Sequence, residues 1–121
     1  MMDSIKVAVL GAGTVAGGTF SVLTRNQEEI TRRAGRGIEI SLVGARDVVR
    51  ARAVFGGAVR VSSDLLAVVR DPQIEIVVEL IGGDTLAREL VLAAIESGKH
   101  VVTANKALLA RHGNEIFEAA H

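Results

Sequence analysis

The chain contains no cysteine, tryptophan or tyrosine and only one proline. Without cysteine there is no disulfide, no thiolate nucleophile and no Cys-ligated metal. The aromatic residues are Phe20, Phe55 and Phe117, too few to stack successive bases of single-stranded nucleic acid. Charge of either sign is not in excess: 14 Lys and Arg balance 14 Asp and Glu. A balanced chain lacks the electrostatic footprint for DNA or an anionic membrane, so neither is expected as a partner. Asp3 precedes a short apolar run, which is neither a secretory signal nor long enough to span a bilayer. The cytoplasm is the expected compartment. His100, His112 and His121 show no ligand spacing, so no metal is expected.

What remains is apolar and rhythmic. Hydrophobic residues make up 49% of 121 residues, enough for one domain with a core. Ile5–Leu10 reads as a buried strand ending at Gly11. Thr14 to about Arg33 reads as one helix, with Val15, Thr19, Val22, Leu23 and Ile30 on a common face and Gly35 as its left-handed cap. Ile38–Val43, Val59–Val61, Ile74–Leu80 and His100–Thr103 read as further strands. Helices are predicted over Val48–Phe55, from a cap at Ser62, Ser63 or Asp64 to about Val69, from Asp84 to about Ser97, and from Ala107 to about Ala120. The last is open to interruption at Gly113, and Asp71-Pro72 forces a turn. Leu86, Leu90, Ala93 and Ala94 share one helix face. No two-residue hairpin turn joins any strands. Alternating strands and helices imply right-handed crossovers and a parallel sheet.

The first strand runs into Gly11-x-Gly13-x-x-Ala16 and then a helix, the context required of a dinucleotide fingerprint. Gly11 permits the tight turn, Gly13 lets a pyrophosphate approach the backbone, and Ala16 is small enough for close helix–strand packing. The amides of Thr14, Val15 and Ala16 would then face the phosphates at the positive end of the helix dipole. No Lys-Ser or Lys-Thr follows, so this is not a phosphate loop of the nucleotide-triphosphate type, and no G-x-S-x-G supports a serine hydrolase. Gly17 and Gly18 sit inside the helix, where each costs about 1 kcal/mol relative to Ala. They read as permitting either close backbone approach or ligand contact.

At the tip of the second strand Arg46 and Asp47 lie side by side, with Arg50 and Arg52 within a turn. An arginine there suits the 2′-phosphate of NADP, and an acid suits the 2′-hydroxyl of NAD. Arg46 favours NADP; Asp47 reads either as a ribose ligand or as a helix N-cap. Glu79 reads as a strand-end carboxylate near the cofactor or as a partly buried structural acid, with the second preferred.

The segments GAGTVAGG (11–18), ARD (45–47), DPQIEIVVELIGG (71–83) and GKHVVTANKALLARHG (98–113) resemble homoserine dehydrogenase, in its N-terminal nucleotide-binding domain. The likeness covers nearly the whole chain. Ala16 stands where the family usually has its third glycine. The resemblance implies a Rossmann-type doubly wound α/β fold over residues 1–121, with strand order 3-2-1-4-5. It implies a reaction interconverting L-homoserine and L-aspartate 4-semialdehyde with NAD(P), in threonine and methionine biosynthesis. It implies Lys106 as the catalytic residue contributed by this domain, and Gly82, Gly83, Thr103 and Asn105 near the nicotinamide and its ribose. It further implies a mixed α/β substrate domain outside these 121 residues, a homodimeric parent enzyme, and no turnover by this part alone. A dinucleotide-sensing module and the nucleotide domain of another dehydrogenase are the alternatives.

Overall fold

The computed structural model describes residues 4–11, 13–57, 59–103 and 105–121. Five strands form one sheet: β1 (Ile5–Leu10), β2 (Ile38–Gly44), β3 (Arg60–Ser62), β4 (Ile76–Glu79) and β5 (His100–Thr103). Their order is β3-β2-β1-β4-β5 and every pairing is parallel. Helices cover both faces, as expected of a doubly wound sheet. Side chains alternate across β1. Val7 and Val9 enter a cluster with Ile40, Val43, Ala51 and Phe55. Ala8 and Leu10 enter the opposite one with Leu42, Val68, Val77 and Leu90. Leu86, Ala93 and Ala94 join Leu90 in that second cluster, so the predicted face is the buried one.

The long first helix is instead two: α1 (Thr14–Arg25) and α2 (Gln27–Ala34). Asn26 breaks it at φ −106°, ψ 21°. Its side-chain amide donates to the Val22 carbonyl at 2.8 Å, the kind of local bond with which asparagine competes against helix. The Gln27 side chain then bonds both the carbonyl and the amide of Ile38, fixing α2 to the start of β2. The predicted apolar face of α1 also fails at Val22, which is 49% exposed. Phe20 packs edge-on against Phe55 at 5.4 Å, and Gly17 faces Val54; these contacts with α3 (Val48–Phe55) turn Val22 outward. The side chains of Val15, Thr19 and Leu23, and of Ala16, lie outside the described residues.

Gly35 adopts the expected left-handed cap, φ 76°. Asp64, of its three candidates, caps α4 (Leu65–Arg70) by accepting from the Ala67 amide at 3.1 Å. Helix α5 covers Thr85–Glu96 and α6 covers Lys106–Ala120 without interruption. Gly113 stays helical because it is buried in a continuous helix whose Leu108 and Ile116 pack on Ala87 and Val91 of α5.

Candidate functional site

The register aligns the carboxyl ends of the strands. Leu10 lies opposite Gly44 on one side and Glu79 on the other; Ser62 continues the row beyond Gly44, and Thr103 beyond Glu79. The order in which strands are added reverses at β1, because β2 and β3 lie to one side and β4 and β5 to the other. Ligands of open α/β sheets bind at such a switch point. A crevice of about 590 Å³ lies there. Gly11 and Gly13 line it beside Arg46, Asp47 and Arg50 from the β2 side and Gly82, Gly83 and Thr85 from the β4 side.

The two fingerprint glycines do different work. Gly11 has φ 115°, and a Cβ on it would lie 2.8 Å from the Leu80 carbonyl oxygen. It is required by the fold. Gly13 is extended, φ −81° and ψ −174°, and a Cβ there would meet nothing within 4 Å. Its missing side chain leaves open space. Gly13 is also the N-cap of α1, which has no side-chain cap and no acidic residue in its first turn. The unpaired first-turn amides of a helix favour an anion. Those of α1 belong to Thr14, Val15 and Ala16, whose backbones are helical. The donor set and the empty space above Gly13 thus fit a pyrophosphate. Gly17 is explained differently: a Cβ would lie 2.9 Å from Val54 Cγ1, so it serves helix packing, whereas Gly18 faces open space.

Asp47 is the N-cap of α3, its carboxylate accepting from the Arg50 amide at 3.0 Å. Arg46 is exposed on the crevice wall. Asp84 stands at the N-terminus of α5 but makes no capping bond. Its carboxylate is drawn instead to α6, where Arg111 Nη1 lies at 3.5 Å and His112 Nε2 at 3.4 Å.

Glu79 is a buried polar residue of the core, 1% exposed, more deeply placed than the sequence suggests. Its Oε2 accepts from the amides of Ile81 (2.8 Å) and Gly82 (3.4 Å), and its Oε1 from the Thr103 hydroxyl (2.7 Å). Thr103 Oγ1 in turn accepts from the Asn105 amide at 3.1 Å. The Asn105 side chain caps α6, accepting from the Leu108 amide at 3.0 Å, and donates to the Gly83 carbonyl. The available signal for Glu79 is an acid inside an apolar strand, directly before a glycine pair. Lys106 is the first residue of α6, exposed, at the carboxyl end of β5. Thr103, Asn105 and Lys106 are not among the residues that line the crevice; Asn105 reaches its edge through the Gly83 carbonyl. Among the described residues no group of His, Cys, Asp and Glu is placed to hold a metal, and no helix is long and apolar enough to cross a membrane.

Residues 11–121 match the family described as homoserine dehydrogenase, NAD binding domain. The homoserine dehydrogenase of Methylobacillus glycogenes is 65% identical over 109 residues, which is 90% of this chain and 26% of that protein. The Pseudomonas aeruginosa enzyme is 59% identical over 98% of this chain and 27% of its own length. The crystal structure of a homoserine dehydrogenase from Thiobacillus denitrificans superposes with a TM-score of 0.93 at 57% identity, covering 99% of this chain and 27% of that one. The Staphylococcus aureus enzyme superposes with a TM-score of 0.90 at 29% identity, over 99% of this chain and 30% of that one. The chain therefore spans about a quarter of the length of these curated relatives. With a matching family profile, close relatives and a shared fold, this chain belongs to the homoserine dehydrogenase NAD-binding domain family.

Proposed function

We propose that this chain is the cofactor-holding part of a cytoplasmic, NAD(P)-dependent homoserine dehydrogenase, and that it favours NADP. The observation that carries the cofactor reading is the pairing of Gly13, with open space where its side chain would stand, and an uncapped helix N-terminus on the same crevice. The amides of Thr14, Val15 and Ala16 take the pyrophosphate. Asp47 caps α3 through one of its oxygens, and Arg46 and Arg50 line the same wall of the crevice, where their guanidinium groups suit a 2′-phosphate.

A dinucleotide anchored on the β2 side extends across the switch point. Its other half would lie toward Gly82 and Gly83, with Thr103, Asn105 and Lys106 beyond them at the β5 end. Bound there, the nicotinamide supplies the hydride acceptor or donor for the alcohol–aldehyde interconversion. Lys106 contributes a positive charge beside the substrate oxygen, and its Nζ is the group that holds or moves the proton there. Its position in the first turn of α6 opposes that helix's dipole, which a purely solvated lysine has no reason to do. The homodimeric parent and a separate substrate domain rest on the family resemblance.

Calorimetric titration of the 121-residue chain with NADPH and NADH tests this reading. Binding by the wild type and loss of binding in a folded Gly13→Val variant are expected. Equal affinity in the two proteins would overturn the assignment of the crevice.

A further inference from the structure

Glu79 does not touch the crevice, yet its three bonds gather the two turns on one side of it. One oxygen holds the amides of Ile81 and Gly82 after β4; the other holds the Thr103 hydroxyl at the end of β5. Thr103 passes the link to the Asn105 amide, and Asn105 returns it to the Gly83 carbonyl. The result is a closed circuit: Glu79, Thr103, Asn105, and back through the glycine turn. Asn105 also caps the helix whose first residue is Lys106.

The sheet has its own pairing at this point. Strands β4 and β5 already pair along their length, Glu79 opposite Thr103 included. A buried carboxyl group is costly unless its oxygens are hydrogen-bonded, and both oxygens of Glu79 are. Gly82 and Gly83, with φ 85° and 70°, have no side chains with which to fix their own turn. A buried acceptor is a direct way to set the conformation of such a segment.

We infer that Glu79 is a positioning residue: through Ile81–Gly82 and Thr103–Asn105 it fixes the glycine turn relative to Lys106, and so shapes the nicotinamide end of the crevice. The inference rests on the cofactor reading above. It separates the crevice into an adenosine side, set by Gly13 and Arg46, and a nicotinamide side, set by Glu79.

The test compares NADPH with 2′-phospho-ADP-ribose, which differs in lacking the nicotinamide ring. Three variants are titrated: Glu79→Leu, which strands both turn amides; Thr103→Val, which keeps the strand side chain β-branched and removes the link; and Glu79→Gln, whose carbonyl oxygen still accepts from the amides. For Glu79→Leu and Thr103→Val, NADPH affinity falls about tenfold or more, the scale of a lost buried hydrogen-bond partner. Affinity for 2′-phospho-ADP-ribose stays within about twofold, because its contacts lie elsewhere. Glu79→Gln restores most of the NADPH affinity. Should Glu79→Leu fail to fold, Thr103→Val decides. Equal losses for both nucleotides, the signature of a general structural role, would overturn the inference, as would no loss for either. A wild-type chain that binds neither nucleotide overturns the cofactor reading and this inference together.

Discussion

A methyl carbon placed on Gly11 would stand 2.8 Å from the carbonyl oxygen of Leu80, and the carbonyl carbon would lie at 3.1 Å. Backbone on one side and a φ of 115° on the other leave no rotamer or small side chain as an escape. Gly11→Ala should therefore destabilise the fold by about 2–4 kcal/mol, combining left-handed strain with overpacking. For a chain of this size that lowers Tm by about 8–15 °C. Gly13→Ala is the control: its extended backbone accepts a side chain, so Tm should hold while cofactor affinity falls. Thermal melts of the two variants check the contrast, and similar melts would contradict it.

Neighbouring glycines in α1 should also differ. Gly18 faces open space in the helix interior, so Gly18→Ala should stabilise by about 0.5–1 kcal/mol through helix propensity. Gly17→Ala should lose that gain, because its Cβ would press on Val54 Cγ1 at 2.9 Å. Denaturant midpoints at unchanged slope decide it. An equal gain for both would mean that α1 and α3 do not meet at Gly17.

Arg46→Ala should weaken NADPH more than NADH, since only NADPH carries the 2′-phosphate. The difference expected for a charge-assisted bond is about 1.5–3 kcal/mol, roughly 10- to 150-fold. Equal losses for both cofactors would show that Arg46 does not read that phosphate and would leave the adenosine side to Arg50.

Helices α5 and α6 are joined by Arg88 and Glu115, with Nη2 to Oε2 at 2.8 Å and Nε to Oε1 at 2.6 Å. The hydrogen bond from the Arg88 guanidinium holds the Glu115 carboxyl below the usual carboxylate range, and the charges of Arg88 and His112 add to it. A carboxyl depressed in the folded state binds fewer protons there than in the unfolded chain, so stability rises with pH across that interval. The contribution is present above the unfolded value and fades as pH falls through the folded one. Arg88→Gln should lower Tm at neutral pH and leave it closer to wild type in acid. A Tm difference that stays constant with pH would rule out this linkage.

The parts that sequence periodicity carries are those whose causes are local. Strand β1 ends where Gly11 ends it, Asp47 and Asp64 cap the helices they precede, and Gly35 turns left-handed after α2. Three features escape because their causes are distant in the chain. The orientation of α1 is set by Gly17 on Val54 and Phe20 on Phe55. Asp84, where the predicted helix begins, makes no capping bond and pairs instead with Arg111 and His112. Glu79 is read as a partly buried acid because its hydroxyl partner, Thr103, lies 24 residues away. The break at Asn26 is local, but its residue type is compatible with either outcome, and the clamp of Gln27 on Ile38 tips it. For the site, the glycine turn and Arg46 are legible as single residues, whereas the circuit through Glu79, Thr103 and Asn105 exists only once β4 and β5 are neighbours.

The 121-residue chain is expected to bind cofactor without turning over homoserine. The crevice, the α1 amides and Lys106 lie within it, so the nucleotide half of a site is present. The relatives are about four times as long, and the substrate's amino and carboxylate groups need partners that hold it still. Catalysis depends on a near-attack geometry, whose loss forfeits about 7 kcal/mol or more, on the order of 10⁵-fold in rate. A single exposed lysine does not replace that positioning. The assay is absorbance at the nicotinamide band with homoserine and NADP or NAD, on the 121-residue chain and, beside it, on the full-length Pseudomonas aeruginosa relative. Robust turnover by the 121-residue chain would place the substrate site within it and contradict the division proposed here. In any longer chain that turns over, Lys106→Ala should lower kcat while leaving cofactor affinity intact, because Lys106 does not line the crevice. Loss of cofactor affinity in that variant would instead make Lys106 a binding residue, and unchanged kcat would make it a surface lysine.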